Sequence, residues 1–98
     1  MPAVTRIGDD DLIHCSAMTR DGGSTNVFVN GVGVSRQDDA NTIHLLPPDV
    51  PPCPSHSAKI TTGSTTVFVN GKGCGRVGDG ITGCTSVAEG SENVFAGP

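Results

Sequence analysis

The chain has 98 residues, a formal charge of −4, 35% hydrophobic residues, three Phe and no Trp or Tyr, which bounds it to one small domain with a thin core. Its acidic balance, with no Lys/Arg run and no aromatic stacking platform, excludes non-specific binding to nucleic acid. No apolar segment follows the N-terminal Met-Pro-Ala-Val-Thr-Arg, and no apolar run approaches a membrane span, which predicts a cytoplasmically made protein with no signal peptide.

The first landmark in chain order is Arg6-Ile7-Gly8-Asp9. The acidic run Asp9-Asp10-Asp11 reads as a solvated surface loop, and His14 stands eight residues after the arginine. Gly23-Ser24 then opens a block that leads through Val27-Phe28-Val29 to Asn30-Gly31. Val-Phe-Val is strand-like, and Asn-Gly after it is a turn signal, because both turn positions favour positive φ. The block predicts a hairpin ending at Arg36. Arg36 restarts the pattern, with Asp39 three residues on and His44 eight residues on. A proline-rich insertion follows, ending at His56; its prolines fix φ and remove donors, so it reads as a stiff extended loop. Gly63-Ser64 opens a second hairpin block through Val67-Phe68-Val69 and Asn70-Gly71 to Arg76. Gly23 to Arg36 and Gly63 to Arg76 are both 13 residues, so the block has a fixed length. Arg76, Asp79 and Cys84 make a third copy, and Gly90-Ser91-Glu92-Asn93-Val94-Phe95 repeats the Gly-Ser landmark.

The motif arginines recur at intervals of 30 and 40 residues, and no segment holds an apolar pattern at helical period. The pattern predicts a single domain, 1–98, of three repeats at approximately 6–35, 36–75 and 76–98. The fold class is all-β with little or no helix: three β-hairpin lobes about a pseudo-threefold axis. An Asp three residues after an Arg closes a turn or pairs with an arginine. The second copy has Asp38-Asp39 where the others have Gly-Asp, which predicts a different turn there.

A pseudo-threefold arrangement would bring His14, His44 and Cys84 to one point. His56, at the end of the insertion, is the candidate fourth ligand, and Cys53 in Cys53-Pro-Ser-His56 is its rival. Imidazoles and a thiolate suit tetrahedral zinc, whereas no carboxylate set points to calcium or magnesium. Four protein ligands leave no open position for water, so the site reads as structural rather than catalytic. In a reducing cytosol Cys15, Cys53, Cys74 and Cys84 read as thiols or ligands rather than disulfides. Cys15 directly follows His14 and would point the other way in a strand, and Cys74 reads as a small packed residue. No catalytic set remains once the histidines are committed to metal, and the Gly-rich stretches lack a phosphate-loop ending.

The blocks Arg6-Ile-Gly-Asp9 and Arg76-Val-Gly-Asp79, the Gly-Ser-x-x-Val-Phe landmarks, Val-Asn-Gly before a motif arginine, and Cys53-Pro-Ser-His56 together resemble the PAAR-repeat family. The resemblance covers essentially the whole chain. It implies a sharp cone with zinc near its point, one structural ion per chain, and by matching positions the ligands His14, His44, His56 and Cys84. It further implies a non-enzymatic tip that caps the trimeric β-helical spike of a contractile machine, a phage tail or a type VI secretion system, with one cone per trimer. Such a tip is monomeric by itself, sharpens the spike for piercing and meets the target cell membrane in passing. It resides in the phage tail baseplate or is secreted by the type VI system. The short chain, with no appended domain, leans toward the phage. The family's namesake Pro-Ala-Ala-Arg is eroded here to Ala3-Val-Thr-Arg6, Gly33-Val-Ser-Arg36 and Gly73-Cys-Gly-Arg76. Two other classes stand beside this reading. One is a small zinc metalloenzyme, which needs an open coordination position and a general base. The other is a free-standing binding module stapled by disulfides.

Overall fold

The computed structural model of the protein describes residues 1–13, 17–42, 57–81 and 85–97. Among them there is no helix, and the strands form three antiparallel pairs. β1 (Phe28–Val29) pairs with β2 (Val32–Gly33), and β3 (Phe68–Val69) pairs with β4 (Lys72–Gly73). Both turns are the expected Asn-Gly pairs: φ is 55° and 78° at Asn30 and Gly31, and 54° and 79° at Asn70 and Gly71. Positive φ at both positions matches the right-handed twist of the flanking strands. β5 (Gly80–Ile81) pairs with β6 (Thr85–Ser86).

The third hairpin block has no Asn-Gly turn, and the two ends of the chain build it together. Phe95 pairs with Ala3, as Phe28 pairs with Gly33 and Phe68 with Gly73. The N–H of Val4 donates to Val94 O at 3.0 Å, as Val34 N donates to Val27 O at 3.1 Å and Cys74 N to Val67 O at 2.9 Å. The third lobe therefore draws its second strand from residues 2–4, and this pairing closes the ring of lobes.

Each motif arginine is locked by its own aspartate. Asp9 Oδ2 accepts the Arg6 N–H at 2.8 Å and Nε at 2.9 Å, while Oδ1 accepts Nη2 at 2.9 Å. Arg36 with Asp39, and Arg76 with Asp79, repeat all three bonds. The bond to Asp9 raises the Arg6 pKa above its already high ordinary value against the opposing effect of burial, and Asp39 does the same to Arg36. A backbone bond from each aspartate N–H to its arginine carbonyl completes a four-residue turn. The third turn position carries positive φ at Gly8 (91°), Asp38 (75°) and Gly78 (90°). The second copy thus makes the same turn as the others, contrary to the sequence expectation. Asp is among the few side chains that enter this region at moderate cost, and the turn's two Asp39 bonds hold it there.

The remaining arginine donor reaches a junction between lobes. Asn30 Oδ1 accepts Arg6 Nη1 at 3.1 Å and the Ser91 hydroxyl at 2.6 Å. Asn70 Oδ1 accepts Arg36 Nη1 at 3.0 Å and Ser24 Oγ at 2.7 Å. In the third lobe, the Gly97 carbonyl stands in for the asparagine, accepting Arg76 Nη1 and Ser64 Oγ, both at 2.7 Å. Each of these serines also accepts the N–H groups two and three residues later, which shapes the loop entering the strand. The serine of each lobe thus serves the junction of the next, in cyclic order.

Three residues just before the arginines lie on the axis itself. The Thr5 N–H donates to Gly75 O, Gly75 N–H to Ser35 O, and Ser35 N–H to Thr5 O, at 3.0, 3.0 and 3.1 Å. This closed ring separates two apolar layers. One holds Val4, Val34, Val69, Cys74 and Ala96, with Val27, Val29 and Val94 against it; the other holds Ile60, Ile81 and Val87 with Ala58 and Val77. A Cβ on Gly75 would lie 2.6 Å from Ser35 O and 3.0 Å from both Ile60 Cδ1 and Thr5 Cγ2. The axis accepts small residues for that reason. Thr5 Oγ1 and Ser35 Oγ are buried there without hydrogen-bond partners. Gly75→Ala is therefore expected to cost about 2–3 kcal/mol in urea denaturation, because the overpacked atoms include backbone. Thr5→Val, nearly isosteric and without the unpartnered hydroxyl, is expected to match or exceed the wild type. A Gly75→Ala protein of unchanged stability would contradict the crowded axis.

Candidate functional site

The layer on the far side of the axis ring carries the segments that lead to the candidate ligands. Asp11, Asn41 and Ile81 stand five residues after their arginines. Their partners are equally matched: Gly8, Asp38 and Gly78 donate to the carbonyls of Arg20, Ile60 and Val87 at 2.8, 2.9 and 2.9 Å. Two of the three copies supply Ile60, Ile81 and Val87, all buried. The first copy instead supplies Arg20 and Asp11, 1% and 2% exposed, and the second supplies Asn41 at 1%.

These polar residues form a buried network within the symmetric frame. Arg20 Nε stands 3.6 Å from Asp11 Oδ1, and Arg20 Nη2 donates to Asp39 O at 3.4 Å. Asn41 Nδ2 donates to Asp11 Oδ2 at 3.2 Å, and Asn41 Oδ1 accepts the Ala58 N–H at 2.8 Å. The acidic run is thus largely internal, which corrects the solvated-loop reading of the sequence. Asp9 and Asp11 point inward to arginines, while Asp10 is exposed. The missed signal was the alternation itself, since in an extended chain residues 9 and 11 share a face and residue 10 takes the other.

His14, His44, His56 and Cys84, together with Cys15 and Cys53, lie outside the described residues. The residues that flank the four proposed ligands are held in this layer. The N–H of Leu12, two residues before His14, donates to Ser86 O at 2.9 Å, and that of Thr42, two before His44, donates to Thr19 O at 2.8 Å. Ala58, two residues after His56, exchanges bonds with Asn41 at 2.9 and 2.8 Å. Ile81 and Thr85, paired in the β5–β6 hairpin, flank residues 82–84 on either side. Four segments leaving one layer, bearing three imidazoles and a thiolate, fit the donor set of a tetrahedral zinc ion. Among the described residues, no group of three His, Cys, Asp or Glu side chains could hold a metal ion.

Cys74 is where the sequence put it, packed in the first apolar layer as a free thiol, and burial raises its pKa. A cleft between the first and third lobes is lined by Arg6, Asp9, Asn30, Glu89, Glu92 and Asn93. Its arginine is already bonded by Asp9 and Asn30, so the groups there serve the lobe junction.

The family model described as PAAR motif matches residues 51–97. The matched segment includes Cys53-Pro-Ser-His56, the second Gly-Ser hairpin block, the Arg76–Asp79 turn and the Gly90-Ser91 landmark. Outside it, the Arg6–Asp9 and Arg36–Asp39 turns repeat the bonds of the Arg76–Asp79 turn. No curated protein matches the chain.

The buried pair suggests a symmetry-restoring experiment. Arg20→Ile alone, or Asp11→Ile alone, removes one partner of the buried pair and is expected to cost about 3–5 kcal/mol. Replacing the pair by the residues of the other copies, Arg20→Ile with Asp11→Ile, is expected to recover wild-type stability within about 1 kcal/mol or to surpass it. A double-mutant cycle in guanidinium measures both; additive losses would contradict the coupling.

Proposed function

We propose that this PAAR-motif protein is a structural, non-enzymatic tip. It caps the trimeric β-helical spike of a contractile injection machine, a phage tail baseplate or a type VI secretion spike. His14, His44, His56 and Cys84 hold one zinc ion at its point. The observation that carries the reading is the Thr5–Ser35–Gly75 ring, which sets three similar lobes about one axis with the flanks of all four ligands on one side of it. A pseudo-threefold body can sit on a threefold spike in register, and a single chain can then close a trimer to one point.

The mechanical requirement is stiffness. A narrow end has little apolar volume to bury, so it lacks the usual source of rigidity. Zinc, when bound, ties its ligand-bearing segments together with binding energy that counts toward folding. The chain's own residues supply the rest. The Arg–Asp turns stiffen each lobe from within, and the cyclic serine junctions and the axis ring cross-link the lobes, so an axial load on one lobe is shared by the others. Force comes from the contracting machine, and the tip meets the target membrane in passing.

Metal analysis of the purified protein is expected to find one zinc per chain. Cys84→Ser or His44→Ala should remove it and lower the melting midpoint by about 10 °C or more, because each kcal/mol shifts a domain of this size by about 4–8 °C. A metal-free protein of unchanged stability would remove the zinc from the proposal. Sedimentation with a purified spike trimer is expected to give one copy per trimer, and no binding at any ratio would remove the capping role.

A further inference from the structure

Three phenylalanines occupy equivalent places at the end of the molecule remote from the ligand-bearing segments. Phe28 stands opposite Gly33, Phe68 opposite Gly73, and Phe95 opposite Ala3. All three partners lie three residues before a motif arginine, so the phenylalanines stand at one level of the pseudo-threefold frame. They flank the apolar layer of Val4, Val34 and Cys74, on the opposite side of the axis ring from Asp11, Asn41 and Ile81. Val27 and Val29 pack against that layer, so alternation along the strand turns Phe28 away from it. The three residues are 58%, 60% and 52% exposed. Nothing in the fold explains three solvated aromatic rings in a chain that has three Phe in all, since their neighbours already fill the layer.

We infer that Phe28, Phe68 and Phe95 are the anchors that fix this end of the protein to its threefold partner. The inference rests on the capping role proposed above and names the side chains that perform it. Symmetry identifies the occupant. A homotrimer offers three identical sites around its axis, and this chain presents three identical side chains around its own. Charge agrees with that choice. The hairpin segments 27–34, 67–74 and 94–97 carry Lys72 as their sole charged residue, although the chain is acidic at −4. Such a face is matched by an apolar, uncharged end of a β-helical trimer and would not select a cationic partner. Area agrees as well. The three rings expose about 100 Å² apiece. Together they make about 300 Å² of exposed aromatic surface, the size at which an apolar patch on a small protein marks an interaction site. Aromatic anchors at the middle of such a patch carry most of the binding energy.

The test uses the full-length protein and a purified β-helical spike trimer from the genome that encodes it. Phe28→Ser, Phe68→Ser and Phe95→Ser are made singly and together, with Leu12→Ser/Ile13→Ser as a control, because those exposed residues lie beyond the other layer. Each single variant is expected to raise Kd about tenfold, by similar factors across the three, and the triple variant to abolish binding. The melting midpoint should stay near wild type, since the rings are exposed, and the control should bind normally. Normal spike binding by a folded triple variant would overturn the anchors and leave capping intact. Failure of the wild type itself to bind would overturn capping, and the anchors with it. Loss confined to one phenylalanine would overturn the threefold assignment. Phe-dependent self-association of the chain, or Phe-dependent binding to phosphatidylcholine vesicles in place of the trimer, would assign the face to another occupant and overturn the proposal.

Discussion

Three backbone hydrogen bonds among Thr5, Ser35 and Gly75 set the plan of this molecule. Each donor and acceptor belongs to a different lobe, so no lobe can complete its own backbone bonding. A buried peptide group without a partner costs free energy comparable to a lost hydrogen bond, which makes the three lobes mutually dependent. The ring also sets how large a side chain can stand on the axis. Gly75 has no room for a Cβ, and the two hydroxyl residues beside it are buried without partners. Close approach of the backbones is thus obtained at the expense of two unsatisfied side-chain groups.

Away from the axis, the lobes are joined by polar side chains instead of by a large core. The apolar layers are thin, one built around valines and the other around Ile60, Ile81 and Val87. The Arg–Asp turns and the serine junctions supply directional, charge-assisted bonds at positions where a chain with 35% hydrophobic residues has little apolar surface to offer. Such bonds stabilise modestly but fix geometry tightly. Where one copy lacks an element, another group takes its place. Gly97 O replaces the turn asparagine, and residues 2–4 replace the outgoing strand.

The symmetry is strict in the backbone and relaxed in the side chains. Arg20 occupies a place that the other copies fill with Ile60 and Val87, and Asp11 one that they fill with Asn41 and Ile81, yet the carbonyl of Arg20 accepts the same turn bond as those of Ile60 and Val87. An ion pair of this kind is not needed for apolar burial. It does make one lobe chemically distinct next to the segments that lead to His14, His44 and His56.

The sequence alone determined the features that depend on neighbours in the chain. Asn30-Gly31 and Asn70-Gly71 announced their turns because few residues tolerate positive φ at two successive positions. The Arg-to-Asp spacing of three announced a pairing whose length suits one turn, and the three copies announced an all-β body with a pseudo-threefold axis. The proposed ligands His14, His44 and Cys84 stand at a recurring distance of eight residues from their arginines, His56 does not, and all four lie outside the described residues. Tertiary structure decided what depends on distant partners. Thr5, Ser35 and Gly75 share no residue type, so their common place on the axis shows only in the bonds between lobes. Asp11 looked like a solvated acid until Arg20 and Asn41 closed around it, and the third hairpin existed in no contiguous stretch until the chain's ends met. Local torsional preference is written residue by residue. Ring closure is a long-range constraint, set by which backbone groups remain for one another once each lobe has formed its own turns.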